Sequence, residues 1–134
     1  MRLYSSNGKK SVDIGSEEDW LSIYSTAVES FGIGKRKIAK ALKFMENGQC
    51  SGEDGYEVAK QFNLIRDAFA KIPPDKAIAD IRDKKKKISW IDDLSPVVTS
   101  CANMYTTPDG KDLLFEIVSV LCYGQISKSD IIVE

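Results

Sequence analysis

The 134-residue chain contains no histidine. That absence removes Ser-His-Asp and Cys-His catalysis, imidazole proton transfer and most zinc or iron sites. An enzyme built on this sequence would have to run on carboxylates, lysine or cysteine alone. Cysteine is scarce too: Cys50, Cys101 and Cys122 are odd in number, widely spaced and form no CxxC pair. Neither a zinc site nor a disulfide framework is expected, and the three read as reduced, mostly buried thiols of a cytoplasmic protein. Neither sign of charge dominates. The 19 basic and 20 acidic residues leave a net charge of −1, which argues against a dedicated nucleic-acid binder. Long apolar runs are missing as well. The longest, Leu113–Tyr123, is broken by Glu116 and Ser119 and is too short to span a bilayer. The opening MRLYSSNGKKS has no apolar stretch of the kind a secretory signal needs. Repeats, low-complexity segments and linkers do not occur, so one domain over residues 1–134 is expected.

What is present suits a small α+β protein. Hydrophobic residues make up 43% and charged residues 29% of the chain, enough for a buried core under a charged surface. Residues 2–14 read as a β-hairpin, with Arg2–Ser5 and Ser11–Ile14 as arms and Asn7-Gly8 as a turn pair suited to positive φ. Ser16 can cap a first helix, with Glu17, Glu18 and Asp19 at its positive dipole end. Trp20, Leu21, Tyr24, Ala27, Val28 and Phe31 form that helix's apolar stripe, and Gly32 and Gly34 end it. A second helix is expected over Lys35–Glu46, closed by Asn47-Gly48, and Gln49–Gly55 reads as a polar loop. A third, from about Glu53 to Lys71, carries the seam Val58, Phe62, Ile65, Phe69 and Ile72, and Pro73-Pro74 stops it.

Residues 76–82 fit either a strand or a short helix. Thr107 can cap a last helix with Pro108 at its first position. The apolar residues from Leu113 to Cys122 cover most of that helix's circumference, and Gly124 suits its end. Residues 130–133 read as a terminal strand. The expected fold is therefore α+β: about four helices packed on a small, mostly antiparallel sheet of the hairpin, the terminal strand and, as an option, residues 76–82.

Candidate chemistry is thin. Asp92-Asp93 invites comparison with a carboxylate dyad, but neighbours on an extended segment point to opposite faces and are badly placed to share a proton or a metal. Gly32–Lys37 has the glycines and cations of a phosphate loop without the GxxxxGK[ST] pattern or a preceding strand. Asp109–Asp112 lacks the twelve-residue ligand pattern of a calcium loop. Lys35–Lys37 are read as a solvated face ahead of an anion-binding one, and the run Asp83–Lys87 as an exposed connector ahead of a nucleic-acid patch, since no aromatic residues interleave with its lysines. Trp90 beside Asp92 suits a protein interface. No catalytic residue, cofactor or metal is expected.

The run Trp90–Pro96, followed by Thr99, Asn103–Tyr105, Thr107, Asp109-Gly110 and Leu113, resembles the C-terminal signature of the bacterial immunity protein 70 family. Upstream, Cys50–Gly52, the third helix and Ile72–Asp75 are similar to the middle region of the same family, so the likeness spans residues 50–113. The resemblance implies a non-enzymatic cytoplasmic antidote. Its partner would be the C-terminal toxin domain, often a nuclease, of a secreted polymorphic or contact-dependent inhibition toxin. No direct nucleic-acid or membrane contact and a monomer are expected. Nuclease sites are basic because they bind phosphate, so acidic groups are the candidate contacts. They are Glu17, Glu18, Glu53, Asp54, Asp92 and Asp93, together with Trp90. The alternative is a small nucleic-acid-binding or regulatory module acting through Lys35–Lys37 and Lys84–Lys87.

Overall fold

A computed structural model describes residues 1–134. The chain opens with a hairpin of β1 (Arg2–Ser5) and β2 (Ser11–Asp13), in which Leu3 pairs with Val12. Gly8 takes a φ of +75° at the turn. The Asn7 carboxamide oxygen accepts from the Ser5 hydroxyl and the Lys9 N–H, which locks the loop. Helix α1 (Glu17–Phe31) starts where expected: the Ser16 hydroxyl oxygen accepts from the Asp19 N–H at 3.2 Å. Gly32, at a φ of +50°, ends it.

The second helix begins later than its sequence suggests. Residues Gly32–Ile38 wind as a 3₁₀ segment and α2 covers Ala39–Asn47, so Lys35–Lys37 precede the α-helix instead of forming its first turn. Three like charges beside the positive end of a helix dipole disfavour an earlier start. Gly48 closes α2 in the left-handed region, and β3 (Gln49–Cys50) follows directly in place of the expected loop. A 3₁₀ turn, Gly52–Asp54, leads into α3 (Gly55–Phe69). A one-turn helix α4 (Cys101–Met104), a long α5 (Leu113–Ser127) and β4 (Ile131–Val133) complete the chain.

The sheet is antiparallel throughout, in the order β2-β1-β4-β3. Its fourth strand is β3 and not residues 76–82. Those residues follow a 3₁₀ turn at Pro74–Lys76 and run irregularly along α1. Side chains take their backbone groups: the Ile78 N–H donates to Thr26 Oγ1 at 2.9 Å and the Ile81 N–H to Ser25 Oγ at 2.9 Å. With those donors satisfied, no ladder is needed.

The last helix also departs from expectation at both ends. Thr107 closes a turn, accepting from the Lys111 N–H at its hydroxyl oxygen, and the cap of α5 is Asp112, whose carboxylate accepts from the Phe115 N–H. Gly124 lies inside α5, which runs on to a left-handed cap at Lys128. Glycine is required at 124 because a Cβ there would stand 2.7 Å from the Ile131 side chain of β4.

Twenty-eight buried hydrophobic residues form one cluster. The α3 seam holds as expected, with Val58, Phe62, Ile65 and Phe69 buried against α5 and α2. Each such side chain contributes about 1.5–3 kcal/mol relative to exposure. Phe44 bridges Trp20 and Phe62 edge to face, with ring centroids 6.0 and 6.1 Å away. The two long helices approach so closely that a Cβ on Gly55 would lie 2.4 Å from the Leu121 carbonyl oxygen.

Candidate partner-binding face

Residues 77–93 pack along α1 and are fixed to it by hydroxyls and carboxylates. At one level, Ser22 Oγ donates to the Ile78 carbonyl at 3.0 Å and lies 2.7 Å from the buried Tyr105 hydroxyl, which Thr26 also approaches. Burial holds the Tyr105 phenol well above its ordinary range, against the lowering effect of these two hydroxyls. At the helix N-terminus, Glu18 Oε1 accepts from both the N–H and the hydroxyl of Ser89, at 3.0 and 2.6 Å. Asp19 Oδ1 accepts from the Trp90 indole N–H at 2.7 Å. The Trp90 ring stands edge-on to Tyr105 with centroids 6.0 Å apart. Burial raises the Asp19 carboxyl, and the Trp90 hydrogen bond partly offsets it.

Glu18 and Trp90 are thus engaged within the chain. They hold the 3₁₀ turn Ile91–Asp93, which presents Asp92 and Asp93 as exposed carboxylates. The pair is on a turn and not on the extended segment expected. Its members still diverge: Asp93 lines a cleft with Asp19, Trp90 and Thr107, and Asp92 a different one with Lys84–Lys87 and Asp75. No shared proton or metal site results, and no group of three or more Cys, Asp or Glu is placed to hold a metal.

Glu17 is exposed on the same first turn of α1 and borders an open, apolar groove with Leu21, Tyr24 and Glu46. Glu53 and Asp54 are not brought to this region. Glu53 lines a polar cleft with Ser51, Gln125, Lys128 and Asp130, and Asp54 pairs with Lys40 at 3.3 Å. The groove itself was not foreseen. Trp20, Leu21 and Tyr24 belong to the apolar stripe that reads as a core face, and Met45 and Ile81 complete the groove from other parts of the chain.

Both basic clusters are exposed, and Lys84–Lys87 are opposed by acids. Lys84 pairs with Glu29 at 2.8 Å, and Lys84–Lys87 share their cleft with Asp75 and Asp92. The Cys50 and Cys101 thiols are poor nucleophiles at neutral pH: burial pushes Cys50 up to about 11 and Cys101 to about 12. No helix is long and apolar enough to cross a membrane. Residues 6–133 match the family model described as Immunity protein 70. No curated protein and no solved structure matches the chain.

Proposed function

The chain belongs to the Immunity protein 70 family, and from that premise we propose that it binds and neutralises the C-terminal toxin domain of a secreted polymorphic or contact-dependent inhibition toxin. The family match across residues 6–133 carries this reading. The toxin domain is a nuclease, and the antidote acts as a monomer in the cytoplasm, by binding and without a catalytic step. Glu17, Asp92 and Asp93 meet cations that the nuclease keeps for phosphate. Such complementarity speeds encounter and rejects wrong partners. Glu18 and Trp90 hold the turn that presents the two aspartates. Glu53 and Asp54 are further candidate contacts, Glu53 in a cleft shared with Lys128 and Asp54 paired with Lys40.

The reading predicts a neighbouring upstream gene for a large secreted protein with a variable C-terminal domain, and co-expression with that domain tests it. Survival with the antidote and death without it is the expected result; equal killing in both cultures overturns the assignment for that pair. Reversing Glu17-Glu18 and Asp92-Asp93 in separate variants tests the acidic contacts. Both should slow association in a salt-dependent way, and unchanged affinity in both removes these acids from the interface. The nucleic-acid alternative predicts binding to DNA or RNA that falls steeply with salt and with reversal of Lys84–Lys87. The acids facing those lysines weigh against it.

A further inference from the structure

Two basic runs that are far apart in the chain meet at one end of α1. Lys84 reaches Glu29, in the last turn of that helix, at 2.8 Å. The 3₁₀ segment that carries Lys35–Lys37 starts at Gly32, directly after the same helix. All seven cations of the two runs are exposed. The carboxylates set among them are Glu29, Asp75, Asp83 and Asp92. Glu29 is the one acid between Trp20 and Met45, and Lys84 occupies it. No ion pair engages Lys35, Arg36 or Lys37. This end of the molecule keeps an excess of positive charge on a chain whose net charge is −1.

An apolar tip stands at the head of the first run. Ile33, between Gly32 and Gly34, is the most exposed large apolar residue of the chain, at 106%. It takes no part in the core or in the layer packed against it. A Cβ added to Gly32 or Gly34 would meet no atom within 4 Å, so the tip is open on both sides. Holding an isoleucine in water forgoes its transfer free energy, and no contact within the chain returns it.

Cations alone would suit any polyanion. A single-stranded nucleic acid is gripped by rings stacked on its bases, and the aromatic residue beside the first run, Phe31, packs against the core instead. A bilayer takes an aliphatic side chain into its headgroup boundary while its phosphates meet lysine and arginine. We propose that this end of α1 is a peripheral contact for an anionic phospholipid surface, with Ile33 inserted and the two basic runs on the headgroup phosphates. The expectation of no membrane contact rests on the lack of a spanning segment, and a surface contact needs none. Four carboxylates temper the charge, so insertion and attraction are both required and binding is reversible. The contact is independent of the toxin reading.

The test floats the purified chain with phosphatidylcholine vesicles containing about one-third phosphatidylglycerol. Binding is expected at about 0.05 M salt and should be lost at about 0.5 M, and on vesicles of phosphatidylcholine alone. Lys35→Gln, Arg36→Gln and Lys37→Gln combined should weaken it by about 100-fold, on the order of fivefold per cation. Ile33→Ser, at a position without packing, should weaken it by about fivefold or more with an unchanged melting temperature. No binding to the anionic vesicles at low salt overturns the proposal. An Ile33→Ser variant that binds within about twofold of the parent also overturns it, because the surface is then a polyanion site without insertion. Tighter binding to a DNA or RNA oligonucleotide at the same salt, or release from vesicles by inorganic phosphate at constant ionic strength, overturns it as well.

Discussion

Helices α1 and α5 are each fifteen residues long and are built on opposite plans. Helix α5 buries Leu113, Leu114, Ile117, Val120 and Leu121 and approaches α3 almost backbone to backbone at Gly55. Helix α1 buries three hydroxyl residues and uses them to hold a segment that has no regular structure of its own. Apolar packing is non-directional and tolerates any contour of the right volume. Hydroxyl-to-backbone bonds are directional, and they can fix an irregular strap at a chosen place. The first plan makes a rigid base. The second leaves the apolar flank of α1 and the carboxylates around it facing outward.

The comparison can be broken at its strongest point first. Phe62→Ala, in the α3 seam, should cost about 3–5 kcal/mol in denaturant unfolding, and a loss below about 1 kcal/mol would mean that the base is not tightly packed. Thr26→Val keeps the shape but removes the acceptor of the Ile78 N–H. It should cost about 1–3 kcal/mol, with faster amide exchange confined to residues 77–83. Exchange that speeds up equally in α5 would show that strap and base are one cooperative unit.

A third measurement uses alkali. The folded chain pushes Cys101 up to about 12, Cys50 to about 11 and Tyr24 to about 12, and it raises Tyr105 as well. Burial is the main cause for the thiols and for Tyr105; for Tyr24 it is the hydrogen bond to Glu46. The unfolded chain releases these protons from about 8.5 for a thiol and about 10 for a phenol. The folded state binds more protons in that window, so stability should fall as pH rises through it. A flat unfolding free energy from pH 8 to 11 contradicts that linkage. The smallest effect belongs to Lys84→Ala, which breaks the exposed pair with Glu29. It should change stability by less than about 1 kcal/mol, and a larger loss would make the charged run part of the strap.

Much of the base was legible in the residues. The α3 seam has a 4-3-4-3 spacing that only a helix satisfies, and the Asn-Gly turn and the Ser16 cap act through nearest neighbours. The strap was not legible. Residues 76–82 carry no decisive period, and their conformation is set by Ser25 and Thr26, which are 56 and 52 residues away in sequence. The end of α5 was misread for a similar reason. Gly124 has the residue type of a terminator, yet it exists to admit Ile131. On the candidate face, Glu17, Asp92 and Asp93 are exposed as their types suggest, whereas Glu18 and Trp90 are engaged by Ser89 and Asp19. The family likeness was readable over residues 50–113, and the family model extends it to 6–133. The added N-terminal part includes α1, whose stripe gives no sign of which flank faces out.

Strand β4 lies between β1 and β3, although its residues are 131–133. Leu3 therefore pairs with Val133, and Ile132 pairs with both Tyr4 and Gln49. During synthesis the hairpin and β3 emerge early and wait without a common partner. The sheet has no middle without residues 131–133. A chain lacking Ile131–Val133 would be left with two unjoined edges where the sheet should be.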